Sequence, residues 1–136
     1  MTLQDFNPDN FRRTTVMDLG DLSALAATAE DWQLMLGAVI EAMLDRYDRN
    51  PDYHFIDTKL SLQSGQDFDA DDPIRGTGTI YMWIQGRGLE ALAGHAQWLQ
   101  RCPNVATALR DRLAPRIQRM IAEVFAQTEV LRAATA

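Results

Sequence analysis

The chain has one cysteine, two histidines and a single lysine in its 136 residues. Cys102 has no second cysteine to close a disulfide with, and no Cys/His spacing of the metal-binding kind exists. No uninterrupted apolar run approaches the roughly 18 to 20 residues that a membrane-spanning helix needs. The opening residues, MTLQDFNPDNFRR, lack the apolar core of a secretory signal. Phosphate fingerprints are missing too, because neither GTGT nor GRG is followed by the lysine and hydroxyl residue of a Walker loop. A surplus of cations is also absent: 19 acidic against 13 basic residues give a formal charge of −6. That balance argues against nucleic acid and anionic membrane as partners, since both require a concentrated cationic surface. The expectation is a soluble, cytoplasmic protein without metal or cofactor.

Apolar residues make up 46% of the chain, enough for a real core, and the length suits one domain covering 1–136. Residues 1–27 are weakly patterned, with NPDN a turn and DLSALAATA a short helix at most. From Thr28, taken as the N-cap, the spacing predicts a helix over 29–48, with Trp32, Leu36, Val39, Ile40, Met43, Leu44 and Tyr47 on one stripe. Asn50 before Pro51 ends it. YHFIDTKLSL reads as a short strand or extended piece, and QSGQDFDADDPIRGTGT as a long polar loop. A second helix is predicted over 80–100. A third begins at Asn104 as cap and runs to about 133, kinked or broken at Pro115, with Val105, Leu109, Leu113, Ile117, Met120, Ile121, Val124, Phe125 and Leu131 in register. The fold class is therefore all-α, with about three main helices.

The second of these helices poses the main question. YMWIQGRGLEALAGHAQWL, residues 81–99, is mostly apolar yet carries Arg87 and glycines at 86, 88 and 94. Each helical glycine costs up to about 1 kcal/mol relative to alanine, so three in one helix need a tertiary reason. Trp83, Arg87, Ala91, Gly94 and Trp98 share one face by their three- and four-residue steps. An arginine there needs either a carboxylate, for which Asp31, Asp45 and Asp48 are candidates, or a polar cavity into which its donors point. Gln85 is placed to hold an adjacent wall by hydrogen bonds.

The run Tyr81, Trp83, Gln85, Gly86, Arg87 resembles the tyrosine-x-tryptophan-x-glutamine-glycine-arginine segment of the N-acylglucosamine 2-epimerase superfamily, which includes cellobiose 2-epimerases and mannose isomerases. The resemblance spans roughly residues 29–130. It implies helical hairpins of an (α/α)6 toroid with the motif on its second helix. The implied chemistry is proton transfer at C2 of a ring-opened reducing sugar, with Arg87 contacting sugar oxygens, Trp83 and Tyr81 as pocket walls and Gln85 beside them. Histidines on later helices act as acid and base in that family, and such helices are missing from a chain of this length. The resemblance therefore implies the N-terminal portion of such a protein or a shortened relative, not catalytically complete alone.

The two histidines are His54 and His95. His95 lies eight residues after Arg87, about 80° around the helix, and is a weak candidate base; His54 is weaker. Asp67, Asp69, Asp71 and Asp72 alternate as in a calcium loop, but Asp72 and Gly78 stand where that loop needs glycine and glutamate. A solvated acidic loop is the better reading, with Asp72, Arg75 and Gly76 placed to form an ordered lip above a pocket containing Arg87. Two other functions remain open. A glycosidase needs two carboxylates, and Glu90 or an aspartate of the 67–72 loop supplies one at most. A non-catalytic module would bind a protein partner through Val124 or Phe125. The apolar faces of three helices call for covering, by self-association or by further helices C-terminal to Ala136.

Overall fold

The computed structural model describes residues 21–61 and 63–135. Three helices form: α1 (Leu22–Asp48), α2 (Met82–Arg101) and α3 (Thr107–Ala134). No strand is named among the described residues; the long connection between α1 and α2 contains one isolated antiparallel bridge, Leu60 to Asp67. The all-α expectation holds at that level.

α3 packs against both other helices. Ile40 and Leu44 of α1, Leu92 and Leu99 of α2, and Leu113, Ile117, Met120 and Val124 of α3 make one buried cluster, with Val105 plugging the turn before α3. Direction follows from the contacts. Glu41 pairs with Arg112, Asp45 with Arg116, and Asp48 with Arg116 and Arg119, so α1 and α3 run parallel. Arg110, in the first turn of α3, donates to the carbonyls of Leu99 and Cys102 (2.6 and 3.2 Å), which closes the carboxyl end of α2 and makes it antiparallel to α3. Exposed ion pairs contribute about 0–1 kcal/mol each. The ladder therefore fixes register more than it adds stability.

Several expected boundaries move. α1 begins before Thr28, because the Asp21 carboxylate accepts from the amides of Ser23 and Ala24 (3.0 and 3.1 Å) and is the stronger cap. Thr28 lies inside the helix, its hydroxyl donating to the Ala24 carbonyl. DLSALAATA is thus the start of α1; the NPDN turn lies outside the described residues. Asn104 does not cap α3, which starts at Thr107 after Ala106 without a side-chain cap. Burying Val105 keeps the chain non-helical until that point. Pro115 neither ends α3 nor starts a new helix; one helix runs through it.

Two stripes are narrower than expected. Trp32 and Val39 are about half exposed, whereas Ile40 and Leu44 are fully inside. Val124 is wholly buried, so a polar residue there would break the core and could not probe a docking surface; Phe125 beside it is largely exposed.

The connection of residues 49–81 is ordered by its own polar contacts. Lys59 Nζ donates to the carbonyls of Gly76 and Thr79, both at 2.5 Å, pinning two distant parts of the loop together. A turn at Gly65, with φ of +68°, returns the chain so that the Ser61 amide meets the Gln66 carbonyl at 2.9 Å.

Gly88 and Gly86 separate the reasons for glycine in α2. A Cβ on Gly88 would lie 2.2 Å from Ile56 Cδ1, whereas one on Gly86 meets nothing within 4 Å. Gly88→Ala is therefore expected to destabilise the protein by about 1–3 kcal/mol through overpacking. Gly86→Ala should stabilise it by about 0.5–1 kcal/mol by helix propensity. Urea unfolding of the two variants measures the difference in sign.

Candidate functional site

α2 is buried along one narrow line, Gln85, Leu92 and Leu99, at seven-residue intervals. Gln85 is 2% exposed. Its amide grips the backbone of Ile56 at both ends: the Ile56 N–H donates to Oε1 (2.8 Å), and Nε2 donates to the Ile56 carbonyl (3.0 Å). A single side chain thus stands in for a neighbouring strand, satisfying a backbone donor and acceptor that no sheet reaches. Ile56 then lies over Gly88. What Gln85 supplies is the wall, and its amide is not open to a ligand.

Holding Gln85 inward turns the opposite side of α2 outward. Trp83 is 66% exposed, and Gly86, Arg87, Glu90, Ala91 and Gly94 share that exposure. Trp98 departs from the face expected for it and packs against the core. The Arg87 side chain makes no ion pair or hydrogen bond with another described residue. Two of its three candidate partners are engaged elsewhere, since Asp45 and Asp48 both pair with Arg116, at 2.7 Å in each case. Tyr81 is half-buried at the start of α2, where its hydroxyl donates to the Ile74 carbonyl (3.3 Å) and its ring lies 6.0 Å from Lys59 Nζ. It therefore ties the loop to the helix.

Beside Tyr81 the loop forms a tight lip. The Asp72 carboxylate accepts from the amides of Arg75 and Ile74 (2.8 and 3.0 Å) and from the Arg75 guanidinium. These bonds hold its pKa down to about 2. Arg75 in turn lies over the Phe68 ring, 4.4 Å from its centre. Asp72 and Arg75 of the expected lip are thus held by their own turn, but neither described cavity beside the loop is lined by Arg87. Among the described residues no group of three or more His, Cys, Asp or Glu is placed to hold a metal ion. Among them too, no helix is long and apolar enough to cross a membrane.

A feature the sequence reading missed lies at the carboxyl end of α1. A cavity of about 570 Å³ opens between α1, residues 53–57 of the loop and Met120 of α3. Next to it Tyr47 donates to Glu123 Oε2 (2.8 Å), with His54 Nδ1 3.4 Å from the phenol oxygen and 3.7 Å from that carboxylate. Burial and the bond to Glu123 push the Tyr47 pKa upward, so the phenol stays a donor. This cluster ties the loop to α3. The signal for it was present in Tyr47 on the α1 stripe, but the partner lies 76 residues away. Neither this cavity nor the smaller one beside His54 is lined by Arg87, Trp83 or Tyr81.

His95 is half-buried on α2 and has no hydrogen-bonding partner among the described residues. It stands apart from the Tyr47 cluster, on another helix. Burial pushes its pKa below the ordinary 6.5.

Compared with family models, curated proteins and solved structures, the chain matches none of them.

The His95 shift has a signed consequence. Its folded pKa is depressed, so the neutral imidazole contributes stability above about pH 6.5, and that contribution is lost as pH falls toward the folded value. His95→Gln is expected to flatten that part of the curve of urea midpoint against pH, with little change above pH 7. Equal curves for the two proteins would contradict the assignment.

Proposed function

We propose that this chain is the opening portion of an (α/α) toroid of the sugar 2-epimerase and isomerase type, and that the outward face of α2 is its sugar-contacting wall. The observation that carries the reading is Arg87, an exposed cation on the motif helix whose carboxylate candidates Asp45 and Asp48 are occupied by α3. Trp83, one turn earlier, adds an exposed aromatic surface. That pair suits a sugar: the indole covers the C–H face of the ring while the guanidinium donates to neighbouring oxygens. The alternating directions of the three helices are those a toroid requires as well, with α1 and α2 each packed on α3.

In a completed toroid the α2 face would line the lumen, with the Asp72 lip beside its rim. Removal of the C2 proton from an open-chain sugar places negative charge on the carbonyl oxygen, and Arg87 would stabilise that charge. The proton itself needs a positioned base. His95 is not adjacent to Arg87 on the helix, and His54 lies with Tyr47 and Glu123. The acid and base are therefore assigned to helices beyond these three, and the chain by itself is expected to bind sugar without turning it over. The glycosidase alternative has less support, because Asp67 is paired with Arg46 and Asp72 with its own turn, which leaves Asp69 and Asp71 of that loop to stand opposite Glu90.

A non-catalytic interaction module is the second reading. Phe125 and Val130 favour it, since both are about 60% exposed on α3 (58% and 62%). Phe125→Asp would then abolish capture of a protein partner while the fold persists.

The two readings separate in one titration. Mannose, cellobiose and N-acetylglucosamine are added in turn to the chain while tryptophan fluorescence is followed. The sugar-wall reading expects saturable quenching by at least one of them. Arg87→Ala should weaken that binding by about 1.5–3 kcal/mol, the loss of a charge-assisted hydrogen bond, with helix content unchanged. Sugar binding indifferent to Arg87, or no binding of any of the three, would refute the reading.

A further inference from the structure

The cavity at the carboxyl end of α1 is distinct from the α2 face, and its polar groups divide into two kinds. Arg46 is committed to the loop. Its guanidinium donates to the Asp57 carbonyl (2.7 Å), the Asp57 carboxylate (3.1 Å), the Lys59 carbonyl (3.4 Å) and the Asp67 carboxylate. Asp57 also accepts from the Lys59 amide at 2.9 Å. This network is a strut between α1 and the loop.

The other side of the cavity is different. Arg49, Asn50 and Tyr53 line it from one turn, in which the Tyr53 amide donates to the Asn50 carbonyl at 3.1 Å. None of their three side chains makes a hydrogen bond or ion pair with another described residue. Burial raises the Tyr53 pKa, which leaves its phenol a neutral donor. Facing these open donors is an apolar floor of Met43, Phe55, Ile56 and Met120. Phe55 is held in place edge-on to Tyr53, with ring centres 5.6 Å apart. Methionines adapt to irregular apolar shapes, and the volume of about 570 Å³ lies in the range of small-molecule sites.

We propose that this cavity binds a small amphipathic carboxylate, with a flat aromatic or short acyl body on the Met43, Phe55 and Met120 floor and the anionic head on Arg49 and Tyr53. A sugar fits poorly there, because hydroxyls all round a ring need polar partners on every side and the Met43, Phe55 and Met120 floor supplies none. The lining side chains without a partner among the described residues, Arg49, Asn50 and Tyr53, come from one turn, as a single compact acceptor head requires. The site does not depend on the sugar-wall reading of Arg87.

The test uses the full chain with methyl-¹³C methionine and 2-naphthoate as probe. Met43 and Met120 line the cavity, whereas Met35 and Met82 do not. The expected result is a saturable shift of the Met43 and Met120 methyls, with Met35 and Met82 unmoved. Arg49→Ala, a surface change that leaves the core intact, should weaken the affinity about tenfold, and the uncharged methyl ester should bind similarly weakly. Ala42→Trp, which fills the cavity, should abolish the shifts. Absence of a saturable shift at Met43 and Met120 in the wild-type chain would overturn the proposal. So would equal affinity in wild type and Arg49→Ala, or an ester that binds as tightly as the acid.

Discussion

The Gln85 amide on the Ile56 backbone is the contact on which the rest of this structure depends. A connection of more than thirty residues with one isolated bridge among its described residues has few ways to satisfy its backbone near a core. Gln85 does so at the point where the loop crosses α2. Leaving a buried donor or acceptor unmet costs about 1–3 kcal/mol, so two such groups give the crossing a strong preference for this one register. Gly88 completes the seat by giving room to the Ile56 side chain. Moving α2 by one residue would replace the glutamine with Ile84 or Gly86, and the crossing would lose both bonds.

That one constraint reaches both candidate surfaces. With Gln85 inward, helical geometry turns Trp83 and Arg87 away from the core. With Ile56 fixed, the neighbouring residues Phe55 and Asp57 wall the cavity beside α1, where Arg46 braces Asp57. The α1–α3 ion-pair ladder then sets how far α3 slides along α1, and so where Met120 and Glu123 meet the loop. Fold and sites are therefore coupled through a few polar contacts set in a mostly aliphatic core.

The helices were legible in the sequence because their signal is local. Ile40, Leu44, Leu113, Ile117 and Val124 recur at helical spacing and are buried. The role of Gln85 as a hydrogen-bonding wall was legible too, since a glutamine in an apolar run has few other uses. The ends were less readable: Asp21 outcompetes Thr28 as a cap, and Val105 delays α3 past Asn104. Least visible was everything that depends on a distant partner. The glycines of α2 look alike in sequence, yet only Gly88 meets a neighbour while Gly86 and Gly94 face open space. The pairing of Tyr47 with Glu123 and of Arg46 with Asp57 and Asp67 follows from the path of the loop, which local periodicity does not encode.

The most direct test of this account is amide hydrogen exchange at Ile56 in the wild-type chain and in Gln85→Met, which keeps the side-chain length and removes both hydrogen bonds. The account predicts a well-protected Ile56 amide in the wild type. In the variant its exchange should accelerate by roughly tenfold or more, the equivalent of one lost hydrogen bond, while the amides of Leu92 and Leu99 remain protected. An Ile56 amide that exchanges at the free-chain rate in the wild type, or that is indifferent to Gln85→Met, would contradict it.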